Sequence, residues 1–385
     1  MKTMKAIADW LESHWAAPAY SGWVLIGLAI FFFGAATNTM AGWLYVISGV
    51  SIAILAIAAI LPARNLQKLK IRRRPIQPVS AGDYLTIEIE IENPTASAKT
   101  MLQIQDILPY VLGTPVPEAI EEIAPHSVYL WAYYQLAPRR GIYRWHEVQL
   151  RTGAPLGLFW YRRSWEAKAT AVVYPIILPI KNCPLIDEMG RENSPQVYSQ
   201  QRSQMATEGI TRTLRPYRYG DPFRLIHWRS SARYGEFRVR ELEIFTGGQE
   251  IIIALDSASL WHTEDFEQAV SAAASLYFYA NRTQRQVKLW TAQTGLVCGN
   301  RVVLETLAAT NPGEDTIGER PSQPLIWLTQ NPVSLNTLPS GSRWVLWPPT
   351  TTETEKIIVS RDKPGFEIQP DKPLEFQLQS PLTRL

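Results

Sequence analysis

Two long apolar stretches without a charged residue lie near the beginning of the chain, at about residues 20–38 and 40–61. Each is close to the ~20 residues that a helix needs to cross a hydrocarbon core of ~30 Å. Trp23 and Trp43 lie near the ends of the stretches, where interfacial aromatic side chains are found in membrane proteins. The pattern therefore predicts two transmembrane helices within a membrane anchor over residues 1–74.

The flanks of these stretches indicate how the anchor is oriented. Two buried core helices or a cleaved signal peptide would also be apolar, but the first stretch is followed by a second one rather than by a cleavage site and a polar region. The loop between the stretches has no basic residue, whereas six follow the second stretch: Arg64, Lys68, Lys70, Arg72, Arg73 and Arg74. Because basic flanks stay on the cytoplasmic side, we expect a two-pass protein of the plasma (inner) membrane with cytoplasmic soluble domains.

After the anchor, the pattern changes to short runs of alternating apolar and polar residues, over about residues 75–180. The clearest run is 84–92, in which every second residue is Leu or Ile. A period of two is typical of a strand with one buried face. Further strands are predicted at about 101–107, 128–135, 142–150 and 169–174, with Pro and Gly between them. We predict a small β-sandwich-like domain here.

A third pattern of apolar residues appears within residues 209–349. The run 249–256 is almost continuously apolar, as in a strand that is buried on both faces of a parallel sheet. Helices are predicted at about 264–282 and 301–309, and further strands at about 287–290, 325–329 and 344–347. This alternation predicts an α/β fold with a doubly wound sheet. In the tail, residues 350–385, a short strand at 374–378 and disorder both stay open.

Residues 209–243 are the segment richest in arginine and aromatic residues. Asp221 and the proline after it have the residue types of an N-cap and a first helical position, so we predict a short helix there. Leu225, Trp228 and Ala232 would share one side of this helix. The spacing predicts that much of the helix is buried.

A strand is predicted after the helix, at about 237–245. Its apolar alternation changes parity near Glu241, which indicates a β-bulge. The eight arginines of the segment need carboxylates or a charged ligand. An internal network with carboxylates and a docking surface for a partner protein both stay open. Nucleic-acid binding is not expected, because the segment lacks Lys-rich exposure and a recognised fold for that purpose.

The run from residue 215 to residue 243 closely resembles the signature of the bacterial domain of unknown function 58 family. That signature combines an Arg, a Gly-Asp pair, an Arg, an aliphatic residue, a Trp and a Ser-Ala-Arg motif. The matching residues here are Arg215, Tyr217, Gly220, Asp221, Arg224, Ile226, Trp228, Ala232 and Arg233. The resemblance implies a membrane-anchored protein related to von Willebrand factor type A domains, of a kind often encoded beside MoxR-type AAA+ ATPases. It therefore implies a von Willebrand type A-like sheet and a MoxR-type AAA+ ATPase as a partner, and it leaves the molecular function uncharacterised.

The same resemblance raises the question of a metal site, because von Willebrand type A domains ligate Mg²⁺ with an Asp-x-Ser-x-Ser loop at the edge of the sheet. Here Asp256 is followed by Ser257, Ala258, Ser259 and Leu260, so neither required Ser position carries Ser. Ser257 and Ser259 would serve if the loop were one residue shorter. We therefore expect a structural turn and no cofactor, with Mg²⁺ binding as the alternative.

Composition narrows the functional classes. Five His and two Cys give neither a disulfide framework nor a zinc spacing, and they fit a reducing compartment. The sequence contains no Walker A loop, Rossmann glycine motif, HExxH helix or Gly-x-Ser-x-Gly motif. His227, Asp221 and Ser230 would spread over several faces of one helix rather than form a triad.

We therefore expect a non-catalytic, membrane-tethered scaffold or adaptor for protein interactions, in contact with the lipid bilayer. A metal-dependent enzyme that uses the loop at Asp256 is one alternative. A polyanion binder that uses the arginines is another.

Overall fold

The computed structural model describes residues 16–114, 116–189, 210–218, 226, 228–243, 250–283, 285–348 and 363–382. The chain divides into two compact units, Met1–Tyr174 and Pro175–Leu385. The described part is a mixed α/β structure with several sheets and two apolar helices near the N-terminus. At this level the predicted fold class is confirmed.

Two apolar helices open the described part of the first unit, α1 (Tyr20–Thr39) and α2 (Gly42–Asn65). By length and composition, both could cross a membrane. Small residues lie where the helices touch: Ala29 and Ser48 are buried, and the Ser48 hydroxyl donates a hydrogen bond of 2.9 Å to the Ala29 carbonyl. Most of the large apolar side chains of both helices point outward and are exposed. This arrangement is typical of helix pairs in lipid, where small residues allow close approach.

The first unit also contains nine described strands in two sheets. They are β1 (Ala17–Pro18), β2 (Lys70–Arg73), β3 (Val79–Ser80), β4 (Tyr84–Asn93), β5 (Lys99–Asp106), β6 (Glu118–Ile123), β7 (Ser127–Leu136), β8 (Gly141–Thr152) and β9 (Phe159–Tyr174). The larger sheet has the order β1-β9-β8-β5-β6, with β3 paired to β9, and the smaller sheet has the order β2-β4-β7.

The two sheets share one hydrophobic core. The alternation in β4 places Leu85, Ile87, Ile89 and Ile91 on a fully buried face, where they pack in one cluster with residues of β5 and β8 such as Ile104. Face-to-face packing of two sheets buries the apolar side of each strand. It also explains why a period of two is so clear in β4.

The second apolar helix runs directly into this core. Leu66, the residue after α2, is fully buried among the core residues of the two sheets. The Asn65 amide donates hydrogen bonds to the Thr100 carbonyl at 2.9 Å and to the Thr152 hydroxyl at 3.1 Å. The helix is therefore joined to the β-rich part by packing and hydrogen bonds rather than by a linker.

The second unit is built around a parallel sheet. Its described strands are β10 (Ile210–Pro216), β11 (Arg238–Glu243), β12 (Ile251–Leu255), β13 (Val287–Thr291), β14 (Gly295–Val297), β15 (Leu325–Thr329), β16 (Arg343–Leu346) and β17 (Gly365–Glu367). Its described α-helices are α3 (Pro184–Asp187), α4 (Trp228–Tyr234), α5 (Thr263–Arg282), α6 (Asn300–Ala309) and α7 (Leu374–Leu378). The sheet order is β14-β13-β12-β15-β16-β17, parallel except for β14, while β10 and β11 form a separate antiparallel hairpin.

The two faces of the parallel sheet are covered differently. Ile251, Ile253 and Leu255 of β12 pack in one cluster with buried residues of α3, α5, α6 and α7. The opposite face is covered by Trp side chains and by Leu335 of a 3₁₀-helix, Pro332–Thr337. A doubly wound sheet carries helices on both faces; in the described residues the bulky indoles take the place of helices on the second face.

The C-terminal tail contributes to this sheet and its core. Strand β17 pairs in parallel with β16, and Leu378 of α7 is fully buried in the core on the helical face. For residues 374–378 the predictions of a strand and of disorder were both wrong, because the segment is a short helix. Glu375 in the first turn suits a helix start, because a negative charge there interacts favourably with the helix dipole.

Candidate functional site

Topology singles out one edge of the parallel sheet. The chain passes from β12 to β13 on one side and then returns to β15 on the other side of β12. In open α/β sheets the crevice at the carboxyl ends of two such strands is where ligands bind. Asp256 follows β12, and Thr329 is the last residue of β15. These two residues define the candidate site.

Asp256 is a buried hydrogen-bonding centre at this edge. Its Oδ2 atom accepts from the Thr329 hydroxyl at 2.6 Å and from the Ser259 hydroxyl at 2.7 Å. Its carbonyl oxygen accepts from the indole N–H of Trp261 at 2.6 Å, and its N–H donates to the Leu328 carbonyl at 2.9 Å. The side chain therefore holds two strands and the loop after β12 in place.

Ser257 has a different role from Ser259. Its hydroxyl is fully buried and accepts a hydrogen bond of 3.0 Å from the N–H of Ala292, which follows β13. Its carbonyl accepts from the N–H of Glu314 at 3.0 Å. The structure thus brings Asp256 and Ser259 together, whereas Ser257 fixes the neighbouring loops.

Arg320 places a positive charge close to this edge. Its guanidinium lies over the Trp327 ring, 3.9 Å from the centroid, and donates to the Thr337 hydroxyl at 2.8 Å. Burial lowers the pKa of Arg320, and the negative charge of Asp256 partly opposes that lowering. The Asp256 charge therefore acts on this guanidinium.

The residues at the edge do not fit a Mg²⁺ site. Ala258 and Leu260 offer no side-chain oxygen, the Ser259 and Thr329 hydroxyls are bound to Asp256 itself, and Arg320 supplies positive charge. Within the described residues, no group of three or more His, Cys, Asp or Glu could hold a metal ion. A hard cation prefers several oxygen ligands, and here the two hydroxyls donate to the Asp256 carboxylate instead.

Exposed aliphatic side chains lie on the segments that follow these strands. Leu260 after β12, Val333 after β15 and Ile317 are 90%, 69% and 73% exposed. Ile317 lies at the end of β13, because its N–H donates to the Ala292 carbonyl at 2.9 Å. We call these three residues the edge rim. Exposed apolar side chains are found at protein interaction sites.

The segment that carries the family signature is partly described. Tyr217, Ile226, Trp228 and Ala232 are described, and so is the backbone of Arg215 in β10 and of Arg233 in α4. Gly220, Asp221 and Arg224 lie outside the described residues, and so does the predicted N-cap at Asp221.

The predicted helix of this segment is corrected by the structure. Ile226 is buried and forms an antiparallel bridge with Val239, and the described helix α4 begins at Trp228. Trp228 is 62% exposed and Ala232 is also exposed, so the buried side that we predicted is wrong. Ile226, which we expected on an adjacent side of the helix, pairs with a strand instead.

The predicted β-bulge lies on the opposite strand of the hairpin. The register between β10 and β11 shifts between Thr211 and Thr213, opposite Leu242 and Glu241. The extra residue is therefore Arg212 of β10 rather than a residue of β11. The change of parity near Glu241 located the irregularity correctly but not the strand that carries it.

Three aromatic side chains form a row on this hairpin and helix. Phe237 contacts Tyr217 with ring centroids 6.2 Å apart and Trp228 with centroids 5.9 Å apart, both edge to face. Phe237 is 54% exposed, and Tyr217 is half-buried. We call Tyr217, Phe237 and Trp228 the aromatic row.

The backbone holds the aromatic row in place. The N–H of Tyr217 donates to the Phe237 carbonyl at 2.8 Å, and the N–H of Arg238 donates to the Ser231 hydroxyl of α4 at 2.9 Å. Arg218 and Arg229 beside the row are exposed. Sequence reasoning missed Phe237 and Thr329 as site residues. Phe237 was visible as a large apolar residue that opens a strand, whereas Thr329 becomes important through pairing with β12.

The fold and site define a mixed α/β protein with two helices that could cross a membrane and with exposed apolar groups around a hydrogen-bonded polar edge. Residues 213–298 match the family model described as protein of unknown function DUF58. Over 287 residues the chain is 25% identical to the uncharacterized protein YeaD of Bacillus subtilis strain 168. This alignment covers 69% of this chain and 67% of YeaD. Both matches support the DUF58 family, in agreement with the resemblance seen in the sequence.

Similarity to solved structures is low. A CARDB domain from Pyrococcus furiosus aligns over 27% of this chain and 94% of its own length, with a TM-score of 0.19 and 10% identity. A β-glucosidase from Listeria innocua aligns over 28% of this chain and 16% of its own length, with a TM-score of 0.17 and 12% identity. Similarities of this size carry no argument about fold or function.

Proposed function

We propose that this chain is a non-catalytic, membrane-tethered module for protein interactions. Helices α1 and α2 anchor it in the plasma (inner) membrane, and the β-rich part of the first unit and the second unit lie in the cytoplasm. The observation that carries the proposal is the exposed aromatic row within the segment that matches the DUF58 model.

Exposed Trp and Phe side chains are costly to leave in water. Trp, Tyr and Arg are also the residue types that dominate binding energy at protein interfaces. In the aromatic row, edge-to-face contacts and backbone hydrogen bonds hold the rings before any partner arrives. Such preorganisation lowers the entropy cost of binding. The row with Arg229 therefore suits docking of a folded protein with an acidic, apolar patch.

The partner that we propose is a MoxR-type AAA+ ATPase. The support is the family resemblance, together with the positive charge beside the aromatic row. A partner's acidic residues would pair with Arg229 at the rim of the contact, which favours rapid and selective association.

We also propose that the second unit is related to von Willebrand factor type A domains. The support is the position of the Asp256 loop, which follows a central strand of a parallel sheet. The edge rim around this loop offers a second docking surface at the place where such sheets bind ligands. Metal-dependent catalysis at Asp256 is disfavoured, because the Ser259 and Thr329 hydroxyls donate hydrogen bonds to its carboxylate and the positive charge of Arg320 interacts with it.

The experiment is affinity purification of the detergent-solubilised full chain from cells, with and without ATP and Mg²⁺, followed by mass spectrometry. We expect a MoxR-type AAA+ ATPase to copurify with the wild type. Trp228→Ala and Phe237→Ala are expected to reduce its recovery by roughly tenfold or more, as for interface residues whose truncation costs ~2 kcal/mol.

Phe376→Ala is the matched control, because Phe376 is an exposed aromatic residue of the same unit outside the matched segment. Its recovery of the ATPase should equal that of the wild type. Full recovery with folded Trp228→Ala and Phe237→Ala variants would contradict docking at the aromatic row. Recovery of nucleic acid or another polyanion in place of a protein would favour the polyanion-binding alternative.

A further inference from the structure

The turn between β8 and β9 lies against the two apolar helices. Its residues 153–158 are Gly, Ala, Pro, Leu, Gly and Leu, without a charged or polar side chain. The Leu158 carbonyl accepts a hydrogen bond of 2.8 Å from the N–H of Ala19, and the Gly157 carbonyl accepts one of 3.1 Å from the Ser21 hydroxyl. The turn is thus bound to the start of α1 by its backbone.

The close approach of the turn to Gly22 shows at which position along α1 the turn lies. A Cβ atom at Gly22 would stand 2.2 Å from the Leu158 carbonyl oxygen, so this position allows no side chain without a shift. Gly22 lies in the first turn of α1, next to the exposed Trp23. Because Trp near a helix end marks the membrane–water interface, the backbone of the β8–β9 turn lies at that interface.

Phe159, the residue after the turn, packs further along the two helices. Phe159 is buried in a cluster with Ala29, Leu55 and Ala58. At a rise of 1.5 Å per residue, Ala29 is roughly 13 Å from the start of α1, and Ala58 is roughly 10 Å from the end of α2. Both positions lie within the apolar part of a membrane span. The Phe159 side chain therefore packs beside helix segments that the hydrocarbon core would surround.

The outer surface of the turn is also of a kind that lipid would cover. Leu156 at its tip is 49% exposed, and many apolar side chains of the two helices are exposed as well. Directly after the apolar residues comes Trp160, whose ring lies 4.3 Å from the Arg151 guanidinium carbon, and then the exposed Arg163. An apolar tip followed by Trp and Arg is typical of segments at the interface between headgroups and acyl chains.

We propose that residues 153–160 form a third membrane-contacting element, in addition to the two helices. The turn inserts at the boundary of headgroups and acyl chains, with Leu156 against lipid and Phe159 against α1 and α2. The occupant is the bilayer, because the apolar turn is hydrogen-bonded to the start of α1 and Phe159 packs in one cluster with residues of both helices. This inference rests on the proposed membrane anchoring. Its consequence is that the β-rich part of the first unit is held at a fixed height on the membrane.

The test uses nitroxide spin labels on the full chain in lipid nanodiscs of phosphatidylethanolamine and phosphatidylglycerol. Single cysteines replace Leu156, Ile52 and Asp83 in a Cys298→Ser background. Cys298 is the exposed native thiol, whereas Cys183 is buried and its pKa is raised to about 12 by burial, so it resists labelling. Ile52 is exposed on α2, and Asp83 is exposed near the end of the sheet opposite to the turn.

Collision rates with O₂, which partitions into lipid, are compared with those of a water-soluble nickel chelate. We expect labels at Leu156→Cys and Ile52→Cys to favour O₂ and the label at Asp83→Cys to favour nickel. A label at residue 156 that favours nickel, while residue 52 favours O₂, would overturn the third contact and leave the membrane anchor intact. A label at residue 52 that favours nickel would overturn the proposed anchoring itself.

Discussion

At the scale of single residues, the most strongly constrained charge is Asp106 in the core of the first unit. Both of its oxygens accept from the Arg73 guanidinium, and the Tyr133 hydroxyl donates to Oδ2 at 2.5 Å. The Trp145 indole N–H also lies 3.1 Å from Oδ1. Burial and the nearby carboxylate raise the pKa of Tyr133, so its hydroxyl stays protonated and continues to donate.

We predict that Asp106→Asn destabilises the protein by about 3–5 kcal/mol, because it leaves the Arg73 charge buried without its counter-ion. Thermal unfolding in detergent, followed by tryptophan fluorescence, measures the change. Glu90→Gln is the control, since Glu90 pairs with Arg74 at an exposed position and should matter little. Equal stability of the two variants would show that the buried network contributes nothing beyond a surface ion pair.

At the scale of elements, the local period of apolar residues predicted the strands and helices whose pattern depends on residues close in sequence. The strand at 84–92 and the helix at 264–282 appear as Tyr84–Asn93 and Thr263–Arg282. In both, one face packs on a large core, so the apolar period is regular. The contacts of Asp256 with Thr329 were not predictable, because they depend on the register between strands more than 70 residues apart. Ile226 was placed in the helix because its bridge to Val239 does not appear in the helical spacing of the segment.

The C-terminal helix α7 illustrates an element whose sequence is too short for a clear period. Leu378 is fully buried in the core of the second unit, whereas Phe376 in the same helix is exposed. We predict that Leu378→Ala costs about 2–5 kcal/mol. Phe376→Ala should change the stability by less than ~0.5 kcal/mol. The comparison is made by thermal unfolding of both variants, and similar melting temperatures would show that α7 is not part of the core.

The contact between α1 and the β8–β9 turn makes a matched pair of glycine variants informative. Gly22→Ala should cost roughly 1–3 kcal/mol, because its Cβ meets the Leu158 carbonyl and the two backbones must separate. Gly27→Ala is the control in the same helix, since a Cβ there meets no atom within 4 Å. Thermal unfolding in nanodiscs tests both variants. A Gly22→Ala protein as stable as Gly27→Ala would mean that the turn is not held against the helix.

For the whole molecule, the order of the elements fixes which ends of the helices face the same side. Strand β1 pairs with β9 just before α1, and Leu66 enters the core of the sheets just after α2. The start of α1 and the end of α2 therefore lie on the side of the β-rich part, and the Met40 connection lies on the other. If the helices cross the membrane, Met40 and Asp83 face opposite compartments.

The basic residues after α2 decide which compartment is which. Arg73 and Arg74 form ion pairs in the folded protein, but the rule that keeps basic flanks in the cytoplasm acts on the charges during insertion, before these pairs form. We predict that, in intact bacterial cells, a membrane-impermeant maleimide labels Met40→Cys in the Cys298→Ser background. Asp83→Cys should react after permeabilisation and not before. The reverse pattern would place the β-rich part outside, and labelling of both sites in intact cells would contradict a two-pass anchor, because a closed bilayer separates the two positions in every two-pass arrangement.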